Sequence, residues 1–210
     1  MSREISQTLD RGLRVLECVA EHPVGVTVGD LAEQLAVGRT VVYRLVATLE
    51  SHGLVRRDEQ GYVRLGLAAL TLSSAAQPLL KQRALPILRE LADGVGATAH
   101  LTRAEGEQAV AVAVVEPRWT DFHVGYREGA RHPLERGASG WSISSARTGT
   151  ATLIHSTGEL QAGAFGVAVA IDSLVGIEAS VGVVSLAPLA DSVDGAVLRA
   201  AVALSRVLRG

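Results

Sequence analysis

The sequence is short of the residues that several kinds of site require. Cys18 is the one cysteine in 210 residues, so an internal disulfide and a cysteine-built zinc site are both excluded. It falls in the first helical segment, where it is expected to act as a small buried apolar residue. No long hydrophobic run exists: the longest, residues 109–115, is far below the ~20 residues needed to span a bilayer. The start, MSREISQTLDR, is charged and lacks the apolar stretch of a secretory signal. A cytoplasmic protein with no membrane partner is expected. Charge of one sign is also missing. The formal net charge of −2 gives no global signature of a nucleic-acid binder. There is no Walker-type glycine loop, and His100, His123, His132 and His155 are scattered without metal-ligand spacing. No cofactor and no metal are expected, and His132, before Pro133, reads as a turn residue.

What is present is ample apolar material, 48% of the chain, enough for one large domain or two modest ones. Organisation is clearest over residues 26–65. Thr27 can cap a helix, with Asp30 at the third helical position forming a capping-box variant ahead of Leu31, Ala32 and Leu35. Val37-Gly38 breaks that helix, glycine being suited to the turn. Val42, Leu45, Val46 and Leu49 then recur at helical spacing, and Gly53 ends the second helix. Residues 54–65 read as two short strands around a polar loop. Residues 6–22 form a preceding helix, stopped by Pro23, whose inner face is expected to carry Leu9, Leu13, Leu16 and Val19 or Ala20. Helix, turn, helix and hairpin make a winged helix-turn-helix.

With the stripe turned inward, Arg39, Thr40, Tyr43, Arg44 and Thr48 point outward. A guanidinium offers the donor fork that matches guanine O6 and N7, and hydroxyls suit phosphate oxygens. Early residues of the second helix of such a motif reach base edges in the major groove. Arg56, Arg57 and Arg64 of the hairpin are placed to meet flanking phosphates. The positive charge is therefore local rather than global, and double-stranded operator DNA is the partner it points to.

Beyond residue 65 an apolar helical segment runs towards Gln77-Pro78, expected as a linker buried against a second copy of the chain. Residues 79–95 are again helical, with Leu85, Leu88, Leu91 and Ala92 on one face. The period then changes to alternation. Residues 98–103 and 109–115 read as paired strands, residues 122–126 as a third, and 165–171 and 179–186 as two more before a final helix over 192–208. Strands with helices packed on one side give an α+β domain.

These landmarks resemble the IclR family of bacterial transcriptional regulators across almost the whole chain. The resemblance is carried by residues 37–49, VGRTVVYRLVATL, by Gly53-Leu54-Val55 and by the wing ending Tyr62-Val63-Arg64-Leu65-Gly66. In the second half it is carried by Val124-Gly125, by residues 133–140, PLERGASG, and by residues 163–168, GAFGVA. Gly38 stands where many members have proline, and the segment after Gly140 is compressed. The resemblance implies a winged helix-turn-helix over residues 1–66, a linker helix over 67–80 and a shortened, GAF-like antiparallel-sheet effector domain over 81–210. It also implies a homodimer or tetramer on DNA, acting as a repressor or other regulator under a small-molecule effector.

Aromatic residues are few, and five of the seven, Trp119, Phe122, Tyr126, Trp141 and Phe165, fall in a restricted part of the second half. A pocket is typically apolar with a few placed polar groups. Phe122, Ser139, Trp141, Phe165 and Ser185 are the candidate ligand-binding residues. Two other readings stand beside the DNA reader: a winged helix used for protein contact, and a small hydrolase acting through Ser139. The second is weak because Gly140 comes one place too early for G-x-S-x-G, and no enzyme is expected.

Overall fold

The computed structural model describes residues 5–119, 125–150, 152–172, 174 and 176–209. The chain divides into two compact units, Met1–Gln77 and Pro78–Gly210.

The first unit contains α1 (Gln7–Glu21), α2 (Val28–Gln34), α3 (Arg39–Ser51), β1 (Val55–Arg57), β2 (Val63–Leu65) and the start of α4 (Ala68–Val95). Its core joins Val15 and Val19 of α1, Leu31 of α2, the α3 stripe Val42, Leu45, Val46 and Leu49, and Val55 and Val63 of the hairpin. The inner face of α1 matches the sequence expectation in part: Val19 and Cys18 are buried and Leu16 packs against the core, but Leu9 and Leu13 are 62% and 48% exposed and Val15 is buried instead. Gly12 shows which side faces α3, since a Cβ there would lie 3.8 Å from Leu45 Cδ2. Gly12, Val15 and Val19 follow one another at helical spacing on that side, which leaves the Leu9–Leu13 row outside.

The capping box at α2 forms as anticipated: Asp30 N–H donates to Thr27 Oγ1 at 3.2 Å, and Thr27 N–H to Asp30 Oδ2 at 3.3 Å. The turn is built differently from the expectation. Gly38 has φ −65° and ψ 142°, a conformation open to any residue, and serves as the N-cap of α3. The left-handed residue is Ala36, with φ 52°. Val37 N–H donates to the Ala32 carbonyl and Ala36 N–H to the Glu33 carbonyl, a Schellman closure. The same closure ends α3, where Leu54 N–H meets the Leu49 carbonyl, but there glycine, Gly53 at φ 67°, takes the left-handed position.

The linker segment and the helix after it are one helix, α4, with Pro78 and Pro86 inside it. Each proline removes a single N–H, and the Ser74 carbonyl freed by Pro78 lies in a stretch, residues 71–79, exposed throughout. Water can satisfy it, so the helix continues. The buried side of α4 is Ala84, Leu88, Leu91 and Ala92, with Ala84 where Leu85 was expected.

The second unit is built on a six-stranded antiparallel sheet, ordered β5-β4-β3-β8-β7-β6. Its strands are β3 (Thr98–Glu105), β4 (Gln108–Val115), β5 (Arg131–Pro133), β6 (Ile154–Thr157), β7 (Phe165–Ala170) and β8 (Ala179–Ser185). Helices α5 (Gly137–Arg147) and α6 (Ser192–Leu208) complete it. Strand alternation separates two faces. Ala99, Leu101, Val167, Val169, Val181 and Val183 join the core with α4 and α6. His100, Thr102, Gly166, Ser180 and Gly182 turn the other way, towards α5, whose Ser139 carbonyl accepts from Ser180 Oγ at 3.2 Å. Helices therefore cover both faces rather than one. His132 lies buried in β5, not in a turn. The short strands β5 and β6 were not anticipated. Of the strand expected over 122–126, Phe122, His123 and Val124 lie outside the described residues, and Gly125 and Tyr126 are not in a strand.

Ala36→Gly is expected to stabilise the first unit by about 0.5–1 kcal/mol, because an alanine in the left-handed region is strained and a glycine is not. Chemical denaturation checks this: the midpoint should rise, and an unchanged or lower midpoint would show that Ala36 carries no strain.

Candidate nucleic-acid interface and ligand cavity

All five outward residues of α3, Arg39, Thr40, Tyr43, Arg44 and Thr48, are exposed. They share a face because the opposite one is consumed by the buried stripe. Thr48 Oγ1 donates to the Arg44 carbonyl at 2.9 Å, which leaves its methyl and its lone pairs for other contacts. Among the described residues, no salt bridge engages Arg39, Arg44 or Arg56.

The other two wing arginines are committed. Arg57 grips the Glu50 carboxylate through Nε and Nη2, at 3.0 and 2.7 Å to Oε2. These bonds hold the Glu50 carboxyl below its ordinary range. Arg64 Nε meets Asp58 Oδ2 at 3.0 Å. Asp58 Oδ1 also accepts the N–H groups of Gln60 and Tyr62, which sets the wing loop. Arg57 and Arg64 thus brace the wing against α3 and across its own loop, while Arg56 is the outward cation of β1.

In the second unit a cavity of about 210 Å³ opens on the α5 face of the sheet, walled by His100, Tyr126, Ser139, Ser156, Glu159 and Leu160 among others. Glycine lets the neighbouring strands and side chains close up: a Cβ at Gly166 would lie 2.8 Å from Ser156 Oγ, and one at Gly182, which is not a wall residue, would meet the Val167 carbonyl and His100 Cε1. The His100 and Tyr126 rings meet edge to face, with centroids 5.2 Å apart and planes at 68°. His100 Nδ1 sits 3.2 Å from Thr102 Oγ1. Burial, helped by the neighbouring His132, pushes the His100 imidazole down to about 3 from an ordinary 6.5. Burial also raises the Tyr126 phenol, so both groups are neutral at physiological pH. The Tyr126 hydroxyl faces those of Thr102 and Ser139, yet makes no hydrogen bond of ordinary geometry among the described residues.

Ser139 and His132 form a buried pair, Oγ to Nε2 at 3.3 Å. His132 Nδ1 lies 3.0 Å from the Pro133 carbonyl, so Nδ1 carries the proton and Nε2 accepts from the serine. The group behind the histidine is a main-chain carbonyl rather than a carboxylate, unlike a charge-stabilised triad. The other candidate ligand residues are dispersed. Ser185 lines a separate, larger cavity between α4 and α6. Trp141 donates Nε1–H to the Glu135 carbonyl at 2.6 Å, and neither it nor Phe165 walls either cavity. Phe122 lies outside the described residues. His100 was not anticipated as a cavity residue, since nothing local marks it, and Tyr126, though one of the five clustered aromatic residues, was not among the ligand-binding candidates.

The two units match two family models. The IclR helix-turn-helix domain matches residues 8–59, and the C-terminal domain of bacterial transcriptional regulator IclR matches residues 73–166. The chain belongs to the IclR family. Its relatives in this family include transcriptional repressors. The acetate operon repressor of Salmonella typhimurium is 30% identical over 55% of this chain and 43% of its own length. Transcriptional repressor IclR of Escherichia coli is 34% identical over 45% of this chain and 36% of its own. The chain thus spans less than half the length of these two curated relatives. The fold likeness extends further. Thermotoga maritima IclR has a TM-score of 0.52 at 20% identity, covering 96% of this chain and 98% of that one. An IclR homologue from Microbacterium hydrocarbonoxydans, solved with 4-hydroxybenzoate, has a TM-score of 0.54 at 21% identity, covering 97% and 99%. Among the described residues no helix is long and apolar enough to cross a membrane, and no group of His, Cys, Asp and Glu could hold a metal.

The neutral His100 predicts an acid sensitivity. Its folded value of about 3 lies below the ordinary 6.5, so the stability it confers is fully present above 6.5 and is lost as pH falls towards 3. The loss should reach at most about 1.4 kcal/mol per pH unit. Unfolding measured across mildly acid pH should show this slope in the native protein and a shallower one in His100→Gln. Equal slopes would mean that His100 is solvated.

Proposed function

We propose that the chain is a sequence-specific DNA-binding transcriptional regulator whose second unit receives a small-molecule effector. The observation that carries the first half is the exposed face of α3, where Arg39, Thr40, Tyr43, Arg44 and Thr48 face outward with no salt bridge on Arg39 or Arg44 among the described residues, together with the exposed Arg56 of the wing. In this reading residues 1–66 bind double-stranded operator DNA, with Arg39 and Arg44 at base edges and Thr40, Tyr43 and Thr48 on backbone or thymine methyls. Arg56 meets a flanking phosphate, and Arg57 and Arg64 hold the wing in place for it. Residues 67–80 link this domain to an effector domain over residues 81–210.

The exposed Leu9 and Leu13 of α1 and Leu70 and Leu72 of α4 support assembly as a homodimer, or a tetramer made of dimers, since such apolar rows are costly in water. A dimer would set its two recognition helices about 34 Å apart, one helical turn of DNA, or a multiple of this. The cavity on the α5 face supports effector binding, as does the 4-hydroxybenzoate carried by a homologue of the same fold. The protein works inside the cell and has no catalytic role in this reading.

Binding to DNA upstream of its own gene, measured over a salt series, tests the reading. The affinity should fall with salt at a logarithmic slope near −0.9 per phosphate contacted. Arg44→Ala should lose about 1–3 kcal/mol of specific binding and relax selectivity, while Arg56→Ala should weaken all sequences alike. Weak, sequence-blind binding that Arg44→Ala leaves unchanged would instead favour a winged helix that docks protein.

A further inference from the structure

The groove between α4 and α6, on the aliphatic side of the second unit, bears on where copies of the chain meet, and so deepens the assembly reading above. We propose that it is a self-docking surface. Two chains pack on it about a two-fold axis, with the Leu198–Val202 ridge of each α6 seated in the groove of the other.

Shape supplies the first argument. The groove, about 710 Å³, is apolar on both sides, with Ile87, Leu91 and Val95 from α4 and Ala196, Ala200 and Ala203 from α6. Alanine keeps the α6 side low, so that another helix can approach closely. On the same helix Leu198 and Val202 are 46% and 52% exposed and lie one turn apart. They are not walls of the groove but a ridge beside it. A small molecule filling the groove would leave that ridge in water, where an apolar row is costly. A second copy covers both. Ridge and groove carried on one surface fit each other when two copies face in opposite directions.

Charge supplies the second. The groove is lined by one acid and one base, Glu90 of α4 and Arg199 of α6. Both are exposed, and neither joins a salt bridge among the described residues. Gly195 gives Arg199 room to lie back along its own helix, since a Cβ there would come within 3.3 Å of the Arg199 Nη1. The two charges therefore do not close on each other within one chain. Across a two-fold axis Glu90 of one copy meets Arg199 of the partner subunit, and the pair occurs twice. A surface with one charge of each sign is its own complement, whereas a partner of single-signed charge would meet one of the two with repulsion.

The test is sedimentation equilibrium of the full-length protein at neutral pH over a range of concentrations. Arg199→Glu and Glu90→Arg should each weaken one association step by at least about tenfold, because like charges then face each other twice. The double variant, with acid and base exchanged, should recover that step to within a few-fold of the native protein. Both positions are exposed, so thermal unfolding should be unchanged in all three. Val202→Asp should weaken the same step, and the charge exchange should not rescue it. A native chain that does not self-associate would overturn the proposal. So would association that neither single variant alters, or a double variant no better than the singles; the groove would then belong to a partner of another kind. Binding to DNA upstream of its own gene separates the two levels. A chain that associates through this groove yet binds no DNA would sink the regulator reading alone, and DNA binding without charge-exchange rescue would sink the interface alone.

Discussion

His100, Thr102 and Ser180 occupy the middle of the large sheet on its α5 side, each almost fully withdrawn from water. Buried polar groups must find partners or cost on the order of 1–3 kcal/mol apiece. Much of that face is arranged around this demand. Thr102 meets His100, Ser180 donates to the Ser139 carbonyl, Ser142 donates to the same carbonyl, and Ser139 itself is tied to His132. Helix α5 is held on the sheet by the bonds from Ser180 and to His132, as well as by Leu134, Ile143 and Ala109 in a small apolar cluster. The opposite face has no such demand and is filled by aliphatic side chains from α4 and α6. A ligand cavity belongs on the first face for the same reason: polar groups held by a network keep their orientation.

In the first unit the governing constraint is different. Four buried residues of α3 fix which side of the helix is free, and that side carries Arg39 and Arg44. A chain of net charge −2 can still present a cationic surface because its acids are spent elsewhere. Glu50 is held by Arg57, Asp58 by Arg64, and Asp30 by the Thr27 cap. Exposed pairs of this kind contribute little to stability. Their consequence is positional: the two arginine pairs neutralise Glu50 and Asp58 and fix the wing, while Asp30 is tied to the α2 cap.

The winged helix was legible in the sequence because every level agreed there. The Thr27–Asp30 cap, the 42-45-46-49 stripe and the Gly53 stop are local signals that tertiary packing did not override. The turn was misread at one residue, since a Schellman closure puts its left-handed residue directly after the helix, at Ala36, and the glycine two positions later drew attention away from it. On α1 two rows of apolar residues compete, and only the position of α3 decides between Leu9–Leu13 and Val15–Val19. The cavity was less legible. Its walls come from β3, α5, β6, β7, β8 and the segments around Tyr126 and Leu160, and they meet because β3 pairs with β8, the one neighbour pair of the sheet that is not consecutive in the chain. Aromatic residues were the signal sought, yet among the described ones only Tyr126 walls the cavity, beside His100, small hydroxyls, glycines and aliphatic side chains.

Helix α4 carries the chain from one unit into the other, and its two prolines bear on what that helix can transmit. Pro78 stands at the unit boundary, where residues 71–79 have no buried side chain to reinforce the backbone. From Ala84 onward Leu88, Leu91 and Ala92 lock the helix into the second core. Its two halves therefore differ in rigidity for a physical reason, burial against none. An effector can shift an equilibrium between conformations only by its difference in affinity for them. A cavity buttressed by a bonded network contributes to such a difference when the bound molecule alters a bond of that network. Tyr126, a wall residue in ring contact with His100, joins the cavity to that network.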